Sequence, residues 1–238
     1  MALQKEFFSL ILHYLKRTAL LFSCLFLSMA TFAQTNFFRL SAGGGAGTTL
    51  AYADLKKKTY AFAGYGVIDY YTTPYVSFGL EIQKGELAGG DVQYDENHRQ
   101  FINSYLSGSL NLKVQLGEFL TGYDRRNIFL NSIRGLYLGA GIGGIKNKLS
   151  NVRYYGDNIF PGEDKSTEVI VPINLGINFY IPDQWDRDRL AINFNLQSTM
   201  AMGEGMDGYS SGNKNDIYAY FSVGLRYHFG ILGLDRRR

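Results

Sequence analysis

Residues 101–116 read Phe101-Ile102-Asn103-Ser104-Tyr105-Leu106-Ser107-Gly108-Ser109-Leu110-Asn111-Leu112-Lys113-Val114-Gln115-Leu116. Ile102, Leu106, Leu110, Leu112, Val114 and Leu116 share one parity, with Ser104 and Gly108 between them. Asn103, Tyr105, Ser107, Ser109, Asn111, Lys113 and Gln115 share the other. A helix of period 3.6 would mix the two sets, whereas a strand keeps them on opposite faces. The stretch therefore predicts a β-strand with one apolar face and one face of small polar side chains.

The same alternation recurs along the chain. Residues 167–181 set Val169, Val171, Ile173, Leu175, Ile177, Phe179 and Ile181 against Pro172, Asn174, Gly176, Asn178 and Tyr180. Residues 190–201 and 216–229 repeat it, the latter with Ile217, Ala219, Phe221, Val223, Leu225, Tyr227 and Phe229 on one side. Residues 75–85, 135–146 and the aromatic-rich 59–70 follow. A first strand near 37–53 carries Gly43-Gly44-Gly45 and Gly47, which suggest a bend or bulge. The count is eight. Connections are expected near 54–58, 86–100, 147–166 and 202–215 at one end, three of them long and polar. At the other end they fall near 71–74, 117–134 and 182–189, with 117–134 holding a short helix beneath the sheet or at a lipid surface.

The first 33 residues read as a secretory signal. Lys16 and Arg17 precede the short apolar run Ala19–Leu27, and Thr31-Phe32-Ala33 precedes Gln34. Cleavage is expected between Ala33 and Gln34. A retained anchor helix would need about 20 apolar residues, and the bulky Phe22 two positions before Cys24 argues against a lipidated cysteine. Removing the segment takes three of the 24 basic and one of the 21 acidic residues, leaving a net charge near +1. Nothing in that balance points to nucleic acid. The one cysteine, Cys24, leaves with the signal, so neither a disulfide nor a cysteine metal site is expected.

Alternation alone does not say which face is wet, since a soluble ligand-carrying barrel would place the same apolar residues inside. Charge density decides. In 101–116, 135–146, 167–181, 190–201 and 216–229 the charged residues are Lys113, Lys146, Glu168, Asp216 and Arg226 alone. A water-facing strand surface carries far more Lys and Glu. Asn, Gln, Ser, Thr and Gly instead suit a narrow lumen where they bond one another. Tyr60, Tyr70, Tyr75, Phe101, Phe179, Tyr180, Tyr218, Tyr220 and Phe229 lie near strand ends and are expected to form interfacial girdles. Lipid cannot satisfy an open strand edge, so the sheet must close. The expected fold is an all-β, eight-stranded antiparallel up-and-down transmembrane β-barrel over residues 34–230, followed by a short basic extension, 231–238.

On these strands, the Ala33-Gln34 junction and the closing segment Tyr220-Phe221-Ser222-Val223-Gly224-Leu225-Arg226-Tyr227-His228-Phe229, the chain resembles the small outer-membrane β-barrel proteins. The resemblance is to the "porin family" of Bacteroidota type, with the architecture of the OmpA transmembrane domain and OmpX. It implies localisation in the bacterial outer membrane, contact with outer-membrane lipid and lipopolysaccharide, and a barrel-assembly signal at Tyr227 and Phe229. The chain departs from the pattern by continuing to Arg238.

Chemistry is sparse. Glu81, Lys113 and Arg226 fall on inward faces, with Arg39 expected beside them; they read either as a gate or proton path, or as charges paired in a packed interior. After the signal the histidines are His98, in an outer loop, and His228, at the inner end of the last strand. No Ser-His-Asp arrangement is apparent, and no Gly-Lys-Ser/Thr follows Gly43–Gly47. No cofactor and no metal site is expected, although loop acids such as Asp91, Asp95, Glu96, Asp157, Glu163, Asp164, Glu204 and Asp207 could attract a divalent cation. The reading is a non-enzymatic barrel with a structural or surface-interaction role, any extracellular ligand meeting loops 86–100, 147–166 and 202–215. A lipid-modifying barrel enzyme and a narrow transport pore stand as alternatives.

Overall fold

Each alternating segment pairs antiparallel with its sequence neighbour. In the computed structural model the strands are β1 (Thr35–Tyr52), β2 (Lys58–Thr73), β3 (Val76–Gly90), β4 (Gln100–Gln115), β5 (Leu136–Leu149), β6 (Lys165–Pro182), β7 (Asp188–Ala201) and β8 (Ile217–Asp235). They close into a barrel in sequence order. The structure describes residues 35–52, 58–91, 93, 100–120, 127–149, 165–203, 205–208 and 216–235. The signal segment, with Ala33 and Gln34, lies outside them. The closed ladder pairs each strand on both sides, which is what hydrocarbon demands of a spanning sheet.

The two faces separate as the parity dictates. On β4, Leu106, Leu110 and Leu112 are exposed on the outer wall, while Asn103, Tyr105, Asn111, Lys113 and Gln115 are buried inside. Outer-face apolar side chains continue around the wall at Phe78, Leu80, Ile142, Leu175, Leu196 and Val223. The aromatics expected as girdles divide between the faces. Tyr60, Tyr70, Phe179 and Phe229 point outward, but Tyr75, Phe101, Tyr218 and Tyr220 are buried inside, and Tyr180 donates inward to Gln115. Position near a strand end says nothing about side; parity does, and these five lie on the inward parity.

The ladders outrun the apolar pattern. β3 pairs with β4 without a break from Val76↔Val114 to Gly90↔Gln100, so 86–90 is strand where a loop was expected. β5 and β6 likewise reach Leu149 and begin at Lys165. Backbone pairing continues wherever a partner strand is present, while the outer-face apolar residues stop earlier, at Lys84, Glu86 and Lys148. β8 also runs past the expected barrel end at 230, to Asp235, through Gly230 at φ 86°. That left-handed φ is one that glycine adopts without a Cβ penalty.

The short connections are built by local side-chain bonds. Thr73 Oγ1 accepts from the Tyr75 and Val76 amides at 3.3 and 3.0 Å, closing the β2–β3 turn. Asp183 Oδ1 accepts from the Trp185 and Arg187 amides at 2.9 and 3.0 Å, an Asx turn between β6 and β7. Between β4 and β5 stand a 3₁₀ turn, Leu116–Glu118, and the helix α1 (Ile128–Ile133). Asn127 caps α1 by accepting from the Phe129 and Leu130 amides at 3.1 and 3.3 Å.

Candidate functional site

The inward side chains fill the lumen in layers. Asp69 from β2, Glu81 from β3, Lys113 from β4 and Arg226 from β8 are all buried, each at most 3% exposed. Arg226 is ion-paired with the Asp69 carboxylate. Lys113 Nζ lies 3.6 Å from Asp69 Oδ1 and 3.7 Å from Glu81 Oε2. Ser41 Oγ donates to Asp69 at 3.5 Å, and Gln83 Nε2 donates to Glu81 at 2.8 Å. Two cations and two anions balance, which is the condition under which buried charge is tolerable. Gly79 makes room for this layer, because a Cβ there would run into the Asp69 carboxylate.

Beside the charges runs a chain of hydrogen bonds with one polarity. Tyr65 OH donates to Asn193 Oδ1 at 3.3 Å, and Asn193 Nδ2 donates to Tyr137 OH at 3.0 Å. Tyr137 OH donates to Asn195 at 2.9 Å, Asn195 to Asn174 at 3.0 Å, Asn174 to Asn111 at 3.2 Å, and Asn111 to Ser109 at 2.9 Å. Amides suit this role because each carries both donors and an acceptor. Bonds in series polarise one another in a low-dielectric interior.

Aromatic and apolar groups close both ends. At the short-turn end, Tyr71 and Tyr180 flank His228 at ring-centroid distances of 5.3 and 5.8 Å. Below them Arg134 makes paired bonds of 2.7 and 2.8 Å to Asp188. At the long-loop end, Tyr105 packs against Tyr218 at 5.6 Å. Above that pair, Leu87, Phe101, Ile145, Ile170 and Met206 form an apolar cluster. Met206 comes from the β7–β8 connection and is fully buried, its carbonyl accepting from Asn103 Nδ2 at 2.9 Å. Gly205 N–H is held at 2.9 Å by Glu168 Oε1. Of the segment 202–215 expected to carry an extracellular ligand, Met206, Asp207 and Gly208 are thus buried in the mouth, while Met202 is exposed.

A closed eight-strand wall with an apolar outside and a packed polar inside is the form that hydrocarbon selects. A family model for the outer membrane protein beta-barrel domain matches residues 19–229. The chain belongs to that family. The bacterial outer membrane is accordingly where it resides, and its long-loop end is extracellular by the habit of such barrels. Among solved structures the chain is similar to Neisserial surface protein A, with 11% identity over 82% of this chain and 100% of that one, at a TM-score of 0.47. It is similar also to Ail, the attachment invasion locus protein of Yersinia pestis, with 12% identity over 81% of this chain and 99% of that one, again at 0.47. No curated protein matches the sequence significantly.

Of the residues singled out in the sequence, this outer-membrane barrel brings Glu81, Lys113 and Arg226 into one cluster. Arg39 is not with them. It is half-buried near the start of β1, and its Nη1 donates at 3.1 Å to the hydroxyl of Tyr70, a ring on the outer wall. The β1–β2 register begins only at Leu40↔Tyr70, so the parity read from the rest of β1 does not extend to Arg39. Tyr227 and Phe229 face outward and stack at 6.3 Å, and Arg189 donates to Tyr227 OH at 2.8 Å. Asp69, the pivot of the charge cluster, escaped the sequence reading. Its signal was present: it is the lone acid on the parity of Ala63, Tyr65, Val67 and Tyr71 in an otherwise uncharged run. His98 and most of the loop acids lie outside the described residues.

Proposed function

We propose that this protein is a sealed, non-enzymatic barrel that acts through its extracellular end, as a structural or surface-interaction component of the outer membrane. The observation that carries the reading is the burial of inward-facing side chains at successive levels of the lumen, from the Arg134–Asp188 pair at the periplasmic end to Met206 at the mouth. An eight-strand wall encloses barely the volume of its own side chains, and here those side chains bond one another across the axis. The place of His228, the one histidine among the described residues, favours the same view. His228 is enclosed between two tyrosine rings at the periplasmic end, far from the outer leaflet that a lipid-modifying enzyme would work on. Binding is assigned to the loop segments that follow the ladder ends, 91–99 and 150–164, and to the rim around residues 202–208. Tyr227 and Phe229, at the outer face of the closing strand, are assigned the role of assembly signal.

Planar-bilayer recordings of the purified protein test the sealed lumen. The expected result is no stable conductance; long-lived openings that pass sugar-sized solutes would replace this reading with a pore. Mass spectrometry of lipid A from cells with and without the protein tests the enzymatic alternative, and a mass difference that depends on the protein would establish it.

A further inference from the structure

Four lysines stand on one sector of the outer wall, immediately extracellular to the apolar belt. Lys84 on β3 and Lys146 on β5 occupy one cross-strand row with Leu106 between them. Lys148 on β5 and Lys165 on β6 are register partners in the next row outward, which also holds Glu86 and Ser104. All four lysines are exposed, and none forms an ion pair among the described residues. The outward parities of β7 (Leu190–Met200), β8 (Ile217–Phe229) and β1 (Leu40–Tyr52) hold no charged residue at all. Lys58 of β2 stands apart, its Nζ 3.8 Å over the Tyr52 ring. Among the described residues, four of the five lysines exposed on the extracellular half of the outer wall thus stand together in this one sector, with Lys58 the fifth.

Directly beneath the lysines the wall is indented. Ile82, Gly108 and Gly144 form the next row toward the membrane centre. Together with Leu106, Lys146 and Thr167 they line a groove of about 350 Å³. Neither glycine is demanded by the fold. Both have ordinary negative φ. A Cβ at Gly108 would meet nothing within 4 Å, and one at Gly144 would come no closer than 3.7 Å to the Glu168 carbonyl. A β-branched residue would serve the strand better at either position. A groove open to hydrocarbon offers a seat for an acyl chain of the bilayer, and an anionic headgroup on that chain complements the four cations above it.

We propose that the outer face of β3–β6 is a binding site for lipid A of the outer leaflet, its phosphate held by Lys84, Lys146, Lys148 and Lys165 and an acyl chain seated over Gly108 and Gly144. The charge complements phosphate, the groove complements the acyl chain, and their vertical order matches a lipid whose headgroup faces the cell exterior. Basic side chains at a membrane surface draw anionic headgroups in this way.

The test titrates the full-length protein in neutral detergent with purified lipid A, with dephosphorylated lipid A and with phosphatidylglycerol. Bound lipid is counted by native mass spectrometry and the unfolding midpoint is followed in parallel. Lipid A is expected to bind and raise the midpoint, with the dephosphorylated form and phosphatidylglycerol much weaker. A K84Q/K146Q/K148Q variant should bind lipid A about tenfold more weakly or worse. Gly108→Leu, whose Cβ would meet nothing within 4 Å and whose side chain would occupy the groove, should weaken it as well, both variants keeping heat-modifiable gel migration. If the triple variant loses that migration, Lys146→Gln alone takes its place, since its side chain is exposed. Equal binding of phosphatidylglycerol overturns the specificity for lipid A, and unchanged lipid A affinity in the lysine variant overturns the site. Unchanged affinity in Gly108→Leu overturns the seating of the acyl chain.

Discussion

The guanidinium of Arg226 on β8 is ion-paired with the carboxylate of Asp69 on β2, reaching across the intervening strand β1. The pair ties the closing strand to the opening hairpin from inside the wall. Removing Asp69 leaves Arg226 and Lys113 with less anionic charge than they need in a site that excludes water. Asp69→Ala is expected to lower stability by about 3–5 kcal/mol. The double variant D69A/R226M should lose less than the sum of the two single variants, because it removes charge as well as a partner. Urea unfolding in detergent micelles measures both; full additivity would mean that the two residues do not act as a pair.

Leu110 and Asn111 adjoin on β4 and face opposite solvents. Leu110 is 63% exposed on the outer wall and Asn111 is 2% exposed within the asparagine chain. Leu110→Arg places a charge in the apolar belt and is expected to cost about 2–4 kcal/mol in bilayers. A fluorescent label on Leu110→Cys should be quenched by acyl-chain quenchers, while one on Asn111→Cys should not. The reverse quenching pattern would invert the wall.

The seam between β8 and β1 depends on missing side chains. A Cβ at Gly45 would come 2.6 Å from the Gly224 Cα and 2.8 Å from the Tyr65 ring. At Gly66, on the outward parity of β2, a Cβ would meet nothing within 4 Å. Gly45→Val should therefore prevent closure and abolish heat-modifiable migration on gels, whereas Gly66→Val should fold. Equal behaviour of the two variants would contradict the close approach at the seam.

The β6–β7 turn carries a pH-dependent contribution. Desolvation works to raise the Asp183 carboxyl, but the Arg187 backbone and side chain and the Trp185 amide donate to it and together hold it below the usual range. A depressed folded pKa means that the stabilisation is fully present above the ordinary aspartate value of about 3.9 and is lost as pH falls through the lower folded value. The amide proton shifts of Trp185 and Arg187 should titrate with a midpoint below that ordinary value. In Asp183→Asn they should not titrate with this group. A midpoint at or above the ordinary value would contradict the turn geometry.

The strands and their two faces were legible in the sequence because a strand has period 2 and each face meets a single environment over its membrane-spanning length. Lipid selects Leu106, Leu110 and Leu112, and a narrow lumen selects Asn103, Asn111 and Gln115, so parity alone sorts them. The scarcity of charge on both faces then separated a membrane barrel from a soluble one. Strand ends were legible only where chemistry and geometry change together. Past Lys84 and Lys146 the outer face becomes polar, yet the ladder continues to Gly90 and Leu149, since backbone pairing does not depend on the side chain that faces out.

What parity cannot supply is height and azimuth around the barrel. Glu81, Lys113 and Arg226 were each legible as inward residues, but their meeting at Asp69 depends on strand register and on closure of β8 against β1. Arg39 failed for the same reason: it precedes the first β1–β2 register pair, Leu40↔Tyr70, and its side chain meets Tyr70 on the outer wall. The burial of Met206 in the mouth, and the one-sided grouping of Lys84, Lys146, Lys148 and Lys165 above Gly108 and Gly144, are likewise products of register. Residues separated by tens of positions become neighbours only when the sheet closes, and that distance relation is a property of the tertiary structure.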